Sequence, residues 1–413
     1  MHRTKMTKRK FSGPLRGMRI LEIGHFIAAP FCTRLLADLG ADVVKVEPLS
    51  GDPVRKWGDS VDGKSLWWSV HARNKRSVAV NLKAPGAAGV ILRLVRDCDA
   101  LVENFRPGQL ARMGLSNETL RRENPALVIG HVSGYGQDGP YRDRAAFGVI
   151  GEAIGGLRHL SDHPPGTSDL PPVRVGVSIG DSLAGLYAAL GIVSALWQRD
   201  RAAGDGRGRA VDVALTESVL SLMEGMLPEY GETGKVRQPS GSRIPTAAPS
   251  SAYPTRDGKW VLIAGNSEPL FQRLCALMGG TDLAGDPRFC DNPSRVANVA
   301  ALDDMIGAWT CQFEAATLLD LLEKADVPAT RIYDAADCAA DPQFRHREMV
   351  REVEDPLFGK ALTHPGIVPK VTDDPGEIRW CGAAIGEHTD EVLAGSGFTL
   401  PEIAALREKE IIA

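Results

Sequence analysis

From Met18 to about Val132 the chain alternates short β-rich runs with stretches of helical periodicity. Arg19 to Ile23 predicts a strand. Pro30 to Leu39, with Phe31, Leu35, Leu36 and Leu39 apolar, predicts a helix closed by Gly40, and Asp42 to Val46 the next strand. The alternation continues with strands over 77–82, 100–103 and 127–132 and helices over 85–95 and 115–122. This order specifies an α/β chain with a doubly wound, Rossmann-like large domain on a parallel sheet. Ser182 to Gln198 carries no charge and predicts a buried helix, with Asp181 and Ser182 at its N-terminus, where Asp is a favoured cap. A polar turn over 202–208 then leads to a strand over 210–215 and a helix from Thr216 towards Leu227.

The Pro-, Gly- and Ser-rich run 238–246 breaks the regularity and reads as a linker. Runs 251–255 and 260–264 flank Asp257-Gly258, a hairpin signal, and the mostly helical region to Tyr333 completes a smaller α+β domain. From Phe344 onwards the segments around Val353 and Val368 and a final helix over 401–409 have no core of their own. The expected division is therefore 1–225 for the first part of the large domain, 226–335 for the small domain with its linkers, and 336–413 for a return segment completing the large domain.

Composition narrows the function classes. A length of 413 residues exceeds one typical core. A net charge of −4 and a pI near 6.2 argue against nucleic acid or an anionic membrane as partner. The seven cysteines are odd in number and include no Cys-x-x-Cys pair, which predicts free thiols in a reducing cytoplasm and no metal site. The basic run 1–10 is followed by no apolar segment and reads as a frayed tail, while 182–198 sits at the lower margin of a membrane span. A soluble, cytoplasmic protein is expected. The first βα turn, Gly24 to Pro30, lacks the Gly-x-Gly-x-x-Gly that admits a dinucleotide pyrophosphate, and no P-loop occurs.

Candidate chemistry centres on Asp181. A helix N-terminus favours an ionised carboxylate, which suits a nucleophile, although a purely structural cap accounts for the same residue. Three further runs stand with it: Leu35 to Glu47 followed by Gly51-Asp52-Pro53; Asn74 to Lys83; and Glu103 to Gly108 followed by Arg112-Met113-Gly114. In this order and spacing, with Ser133 to Pro140, Gly206 to Arg209, Val211 to Val213 and Gly386 to Thr389, they resemble the class III coenzyme A transferases. That family includes formyl-CoA, carnitine-CoA and succinyl-CoA:dicarboxylate transferases and is related to the 2-methylacyl-CoA racemases.

The resemblance implies two chains threaded as an interlocked-ring homodimer. CoA or acyl-CoA is the substrate, not a permanently bound cofactor, and a small carboxylic acid, expected to be dicarboxylic, is the co-substrate. It implies that Asp181 attacks the donor thioester to give an aspartyl mixed anhydride and then an aspartyl-CoA thioester. Backbone N–H groups around Gly180 would serve the oxyanions. For CoA it implies Val80, Lys83, Asn104, Phe105, Arg106 and Arg112, with the cations placed at phosphates. Arg55 is a further candidate for the nucleotide end, and Arg243 with Thr246 for a substrate carboxylate. His25 is read either as lining the CoA cleft or as a hydrogen-bonded loop residue, and His131 as packed.

Departures shape the expectation. Phe147 and Gly148 stand where members commonly carry an aromatic residue or His followed by Asp, and Phe147 cannot abstract a proton as a racemase base would. Pro245 to Ser251 replaces the tetraglycine loop of the formyl-CoA transferases, and Pro48 replaces an Arg found in some members. The alternatives to CoA transfer are a racemase or epimerase of the same fold, or a non-catalytic CoA-binding protein.

Overall fold

A computed structural model of the chain describes residues 11–280 and 282–413. The basic run 1–10 lies outside the described residues. The chain forms two compact units, one comprising residues up to Leu157 with Val175–Gly231 and Pro342–Ala413, the other Arg158–Arg174 with Glu232–Asp341.

The first unit is built on six strands, β1 (Arg19–Glu22), β2 (Asp42–Glu47), β3 (Lys75–Ala79), β4 (Ala100–Glu103), β5 (Val128–Ser133) and β6 (Ala210–Ala214). They pair in parallel in the order β3-β2-β1-β4-β5-β6. The order reverses at β1, so the loops leaving β1 and β4 diverge and open a crevice at the strands' C-terminal ends. Strands β1 to β5 are largely buried because helices cover both faces, and they carry the charges Glu22, Lys45 and Lys75 among their apolar residues.

The helices up to α9 are α1 (Ala28–Asp38), α2 (Leu66–His71), α3 (Ala87–Val95), α4 (Gln109–Arg112), α5 (Asn117–Glu123), α6 (Gly148–Ile154), α7 (Leu157–Leu160), which runs from the first unit into the second, α8 (Ile179–Asp200) and α9 (Leu215–Leu220). Val90, Ile91 and Leu94 of α3 pack one face of the sheet together with Val392, Leu393 and Ile403 of the return segment. Ala28, Cys32 and Leu36 of α1 and Ala184, Ala188 and Ile192 of α8 pack the other. Alpha-carbon contact between α1 and α8 is close enough that a Cβ on Gly185 would fall 2.6 Å from the Ala28 carbonyl oxygen.

Three local expectations are corrected. The run read as a strand over 77–82 ends at Ala79: the Val80 N–H still donates to the Glu47 carbonyl, but Val80 also bridges to Ile412 and the Asn81 N–H donates to the Ile411 carbonyl. The helix expected over 216–227 breaks after Leu220, where Glu224 takes a left-handed φ of 49° ahead of Gly225, and resumes over Met226–Thr233. Helix α8 is buried on one face only. It is long and apolar enough to span a membrane by length and composition, but its inner face is a core face, whereas Leu186, Leu190 and Trp197 are 53%, 61% and 70% exposed.

The return segment adds an antiparallel hairpin, Val350–Asp355 with Lys360–Pro365. Asp355, His364 and Cys381 bring their side-chain donor atoms within 4.8 Å of one another, and the Ser69 hydroxyl donates to Asp355 and lies 3.1 Å from His364 Nε2. The second unit is mostly helical, with a three-stranded antiparallel sheet. Its central hairpin, Ser250–Pro254 with Trp260–Ala264, turns at Gly258 with φ 73°, a conformation glycine adopts freely.

Candidate active site

The loops at the C-terminal ends of β1 to β6 enclose an open cavity of about 790 Å3. Its walls include His25 and Phe26 after β1, Val80 to Lys83 after β3, Asn104 to Pro107 after β4, Arg144 to Phe147 after β5, and Asp181 from the first turn of α8.

Beneath it lies a buried charge cluster. Lys45 Nζ donates to Glu22 Oε1 (2.7 Å) and the Gly24 carbonyl (2.9 Å) and sits 2.7 Å from Asp52 Oδ2. Lys75 Nζ reaches Glu22 Oε2 at 2.8 Å. Burial pushes the Glu22 carboxyl up, but Lys45 and Lys75 overrule it and hold it at about 2. Breaking such a pair on one side leaves an uncompensated charge in a low-dielectric interior. The cluster therefore fixes Gly24 and the loop that carries His25. Burial, helped by the Lys45 charge, lowers the His25 pKa and keeps its ring neutral at pH 7.

Asn104 clamps the same loop. Its Oδ1 accepts from the His25 backbone N–H and its Nδ2 donates to the His25 carbonyl, both at 2.8 Å. Phe105 is buried edge-on to the His25 ring at 5.2 Å, and its N–H donates to Glu103 Oε2 at 2.6 Å. Glu103 Oε1 in turn lies 2.5 Å from His131 Nδ1, so the packed His131 supports the carboxylate that shapes this turn. Val80, Lys83 and Arg106 also line the cavity; Lys83 and Arg106 are exposed cations. Arg112, at the end of α4, is exposed outside the lining.

Asp181 is the third residue of α8, not its cap. The helix starts at Ile179 after Ser178, and no side chain caps it. Asp181 is half-buried, and among the described residues it is the sole carboxylate on the cavity wall. Phe147, 63% exposed, ends the β5 wall with its ring edge-on to Phe26 at 6.1 Å. Gly148 follows it as the first residue of α6 and abuts Asp181 directly: a Cβ there would fall 2.7 Å from Asp181 Cγ. A Cβ on Gly180 would likewise fall 2.7 Å from the Gly148 carbonyl oxygen. The two helix N-termini can meet this closely only because both positions are glycine.

With this geometry in view, the comparisons are decisive. A model of CoA-transferase family III matches residues 15–389. The chain belongs to CoA-transferase family III. It is 45% identical over 410 residues, 98% of this chain and all of the relative, to the succinyl-CoA–D-citramalate CoA-transferase of Chloroflexus aurantiacus. It is 39% identical to the succinyl-CoA–L-malate CoA-transferase beta subunit of the same organism, over 97% of this chain and 98% of that one. The crystal structure of a CaiB/BaiF family protein from Brucella suis superposes with a TM-score of 0.82 at 32% identity, covering 93% of this chain and all of that one. The protein is thus a CoA-transferase, an enzyme acting on CoA thioesters.

Two arginines that the sequence offers as candidates engage carboxylates of this chain. Arg55 is committed to structure: it forms a two-pronged pair with Glu47 (2.8 and 2.7 Å), donates to the Ala383 carbonyl and lies 3.5 Å from the centre of the Trp68 ring. In the second unit Arg243 Nε donates to Asp303 Oδ2 at 2.5 Å, and Tyr253 donates to the same carboxylate. Glu152 escaped notice entirely. It is fully buried one turn along α6 from Gly148, with its Cγ 3.4 Å from where a Gly180 Cβ would lie. A charged residue in the run Gly148 to Gly156, otherwise apolar, was the available signal.

Proposed function

We propose that the enzyme moves CoA from an acyl-CoA donor to a free dicarboxylic acid through covalent intermediates on Asp181. The Asp181 carboxylate attacks the thioester carbonyl and expels CoA thiolate, giving an aspartyl acyl anhydride. The thiolate attacks the aspartyl carbonyl, releasing the donor acid and leaving an aspartyl-CoA thioester. The acceptor carboxylate then attacks that thioester, and the freed thiolate attacks the acceptor acyl carbonyl, giving the new acyl-CoA and regenerating Asp181. Four such exchanges conserve the thioester's free energy, which a direct hydrolysis would lose. Gly180 lies in the first turn of α8, where backbone N–H groups lack intrahelical acceptors, and its N–H is the proposed oxyanion donor.

The observation that carries this reading is that Asp181 is the lone carboxylate, among the described residues, on a cavity whose other walls carry Lys83, Arg106 and the Asn104-Phe105 turn. Lys83 and Arg106 are assigned to CoA phosphates, and Val80 and Phe105 to apolar contact. Arg112 is kept as a rim cation for the nucleotide end. Phe147, which has no proton to exchange, argues against the racemase alternative. A dicarboxylic co-substrate follows from the citramalate and malate transferases that the chain resembles.

The stripe Leu186, Leu190, Val193 and Trp197, spaced along one exposed face of α8, supports a homodimer. Seven unpaired cysteines support a cytoplasmic location. The chemistry is tested by incubating the enzyme with acyl-CoAs, succinyl-CoA among them, quenching with hydroxylamine and mapping the adduct by peptide mass spectrometry. A hydroxamate on Asp181, absent from Asp181→Ala, is expected. Wild-type turnover without that label overturns the mechanism.

A further inference from the structure

The cavity holds one permanent cation that the CoA phosphates leave unassigned. Lys83 follows β3, four strand positions from β5, or about 19 Å at ordinary strand spacing. Arg106 follows β4. Arg144 instead follows β5, within the same β5-to-β6 connection as Asp181 and four residues before the glycine that touches the Asp181 carboxylate. The segment 144–147 lines the cavity throughout, so Arg144 belongs to the wall on which the acyl group would be transferred.

Its side chain is oriented without being neutralised. The guanidinium carbon lies 3.7 Å from the centre of the Tyr141 ring, and Tyr141 is itself edge-on to Tyr135 at 5.8 Å. The ring contact positions the guanidinium and leaves its N–H groups available to donate a two-pronged pair of hydrogen bonds to a carboxylate. The adjacent acid, Asp143, is paired with Arg142 at 3.6 Å, and no described carboxylate forms an ion pair with Arg144. Glu47 holds Arg55 and Asp303 holds Arg243, so neither of those arginines is free for the task.

The geometry points to Arg144 as the specificity residue that binds the distal carboxylate of a dicarboxylic acyl group while its carbonyl is presented to Asp181. The assignment rests on Asp181 being the acyl-accepting residue. A succinyl group carries its second carboxylate three bonds beyond the carbonyl carbon, and a butanoyl group of equal carbon count carries none. Discrimination between these two thioesters is therefore the property that Arg144 controls. A cation bound to a CoA phosphate would treat both alike.

The test measures binding by calorimetry in an Asp181→Asn background, where no transfer intervenes, with succinyl-CoA, butanoyl-CoA and free CoA. Adding Arg144→Gln is expected to weaken succinyl-CoA by about 30-fold, the lower end for loss of one partner of a charge-assisted pair, with butanoyl-CoA and CoA unchanged. Arg144→Lys keeps the charge but not the fork and should fall between. An equal loss for all three ligands would place Arg144 on a CoA phosphate, and no loss for any would make it a solvated side chain; either result overturns the proposal. Failure of Asp181 labelling in the wild-type enzyme would instead remove the mechanism, and the binding contrast would still read the Arg144 assignment.

Discussion

A Cβ placed on Gly148 would fall 2.1 Å from Asp181 Oδ2, so the carboxylate occupies the space that a side chain at 148 would need. The glycine is a seat for the proposed nucleophile. Gly148→Ala must push the carboxylate aside, and a displacement of about 1 Å at a reacting group costs about 100-fold in rate. Expected is a fall of that size in kcat, with CoA affinity retained. Gly151→Ala provides the control, because on the same helix it meets Leu215 instead, at 2.9 Å. Equal kinetic losses in the two variants would show that Gly148 serves helix packing alone.

Asn104 holds the His25 backbone through both its N–H and its carbonyl. Asn104→Ala should lower unfolding stability by about 2 kcal/mol through two lost hydrogen bonds. The loosened loop should also raise the KM for acyl-CoA more than it lowers kcat. Urea titration and steady-state kinetics on one preparation check both effects.

Glu22 stands between Lys45 and Lys75 with none of the three exposed. Glu22→Gln leaves two buried cations short of a partner and should cost about 3 kcal/mol or more at pH 7. Replacing Lys75 by Met in the same chain should recover part of that loss, and a double-mutant cycle by urea denaturation measures how much.

Burial, with the Arg34 and Lys75 charges, depresses His71 to about 3. Between the unfolded pKa near 6.5 and that value the unfolded chain binds a proton that the folded chain does not. The His71 contribution to stability is thus present above pH 6.5 and is lost as pH falls towards 3, at up to about 1.4 kcal/mol per pH unit. His71→Gln should flatten the stability profile over that interval. An unchanged slope from pH 6 to pH 4 would show that His71 titrates alike in both states.

The sheet was legible because its strands carry short apolar runs, as at Ile20-Leu21, Val43-Val44 and Leu101-Val102, separated by helices with regular periodicity. That Asp181 stands near a helix N-terminus is legible, but its place as third residue rather than cap is not, since nothing in the residue types distinguishes the two. The Arg55 pair with Glu47 was not legible, because the two stand eight residues apart across a turn, a pairing that helical or strand spacing does not signal. Gly148 was noticed as a missing acid, but its contact with Asp181 joins two helices and needs coordinates to appear. The Asp355, His364 and Cys381 grouping was hidden for the same reason, as its members come from a hairpin and a distant loop.

The strand end bearing Val80 is completed by the far end of the sequence: Val80 bridges to Ile412, and the Asn81 N–H donates to the Ile411 carbonyl at 2.8 Å. On the ribosome, therefore, one wall of the cavity cannot close until Ile411 and Ile412, far downstream of Val80, have been synthesised. Nascent protein must wait with that edge open, and a product truncated shortly before Ile411 would keep almost every residue of the cleft while losing the clasp that shapes it.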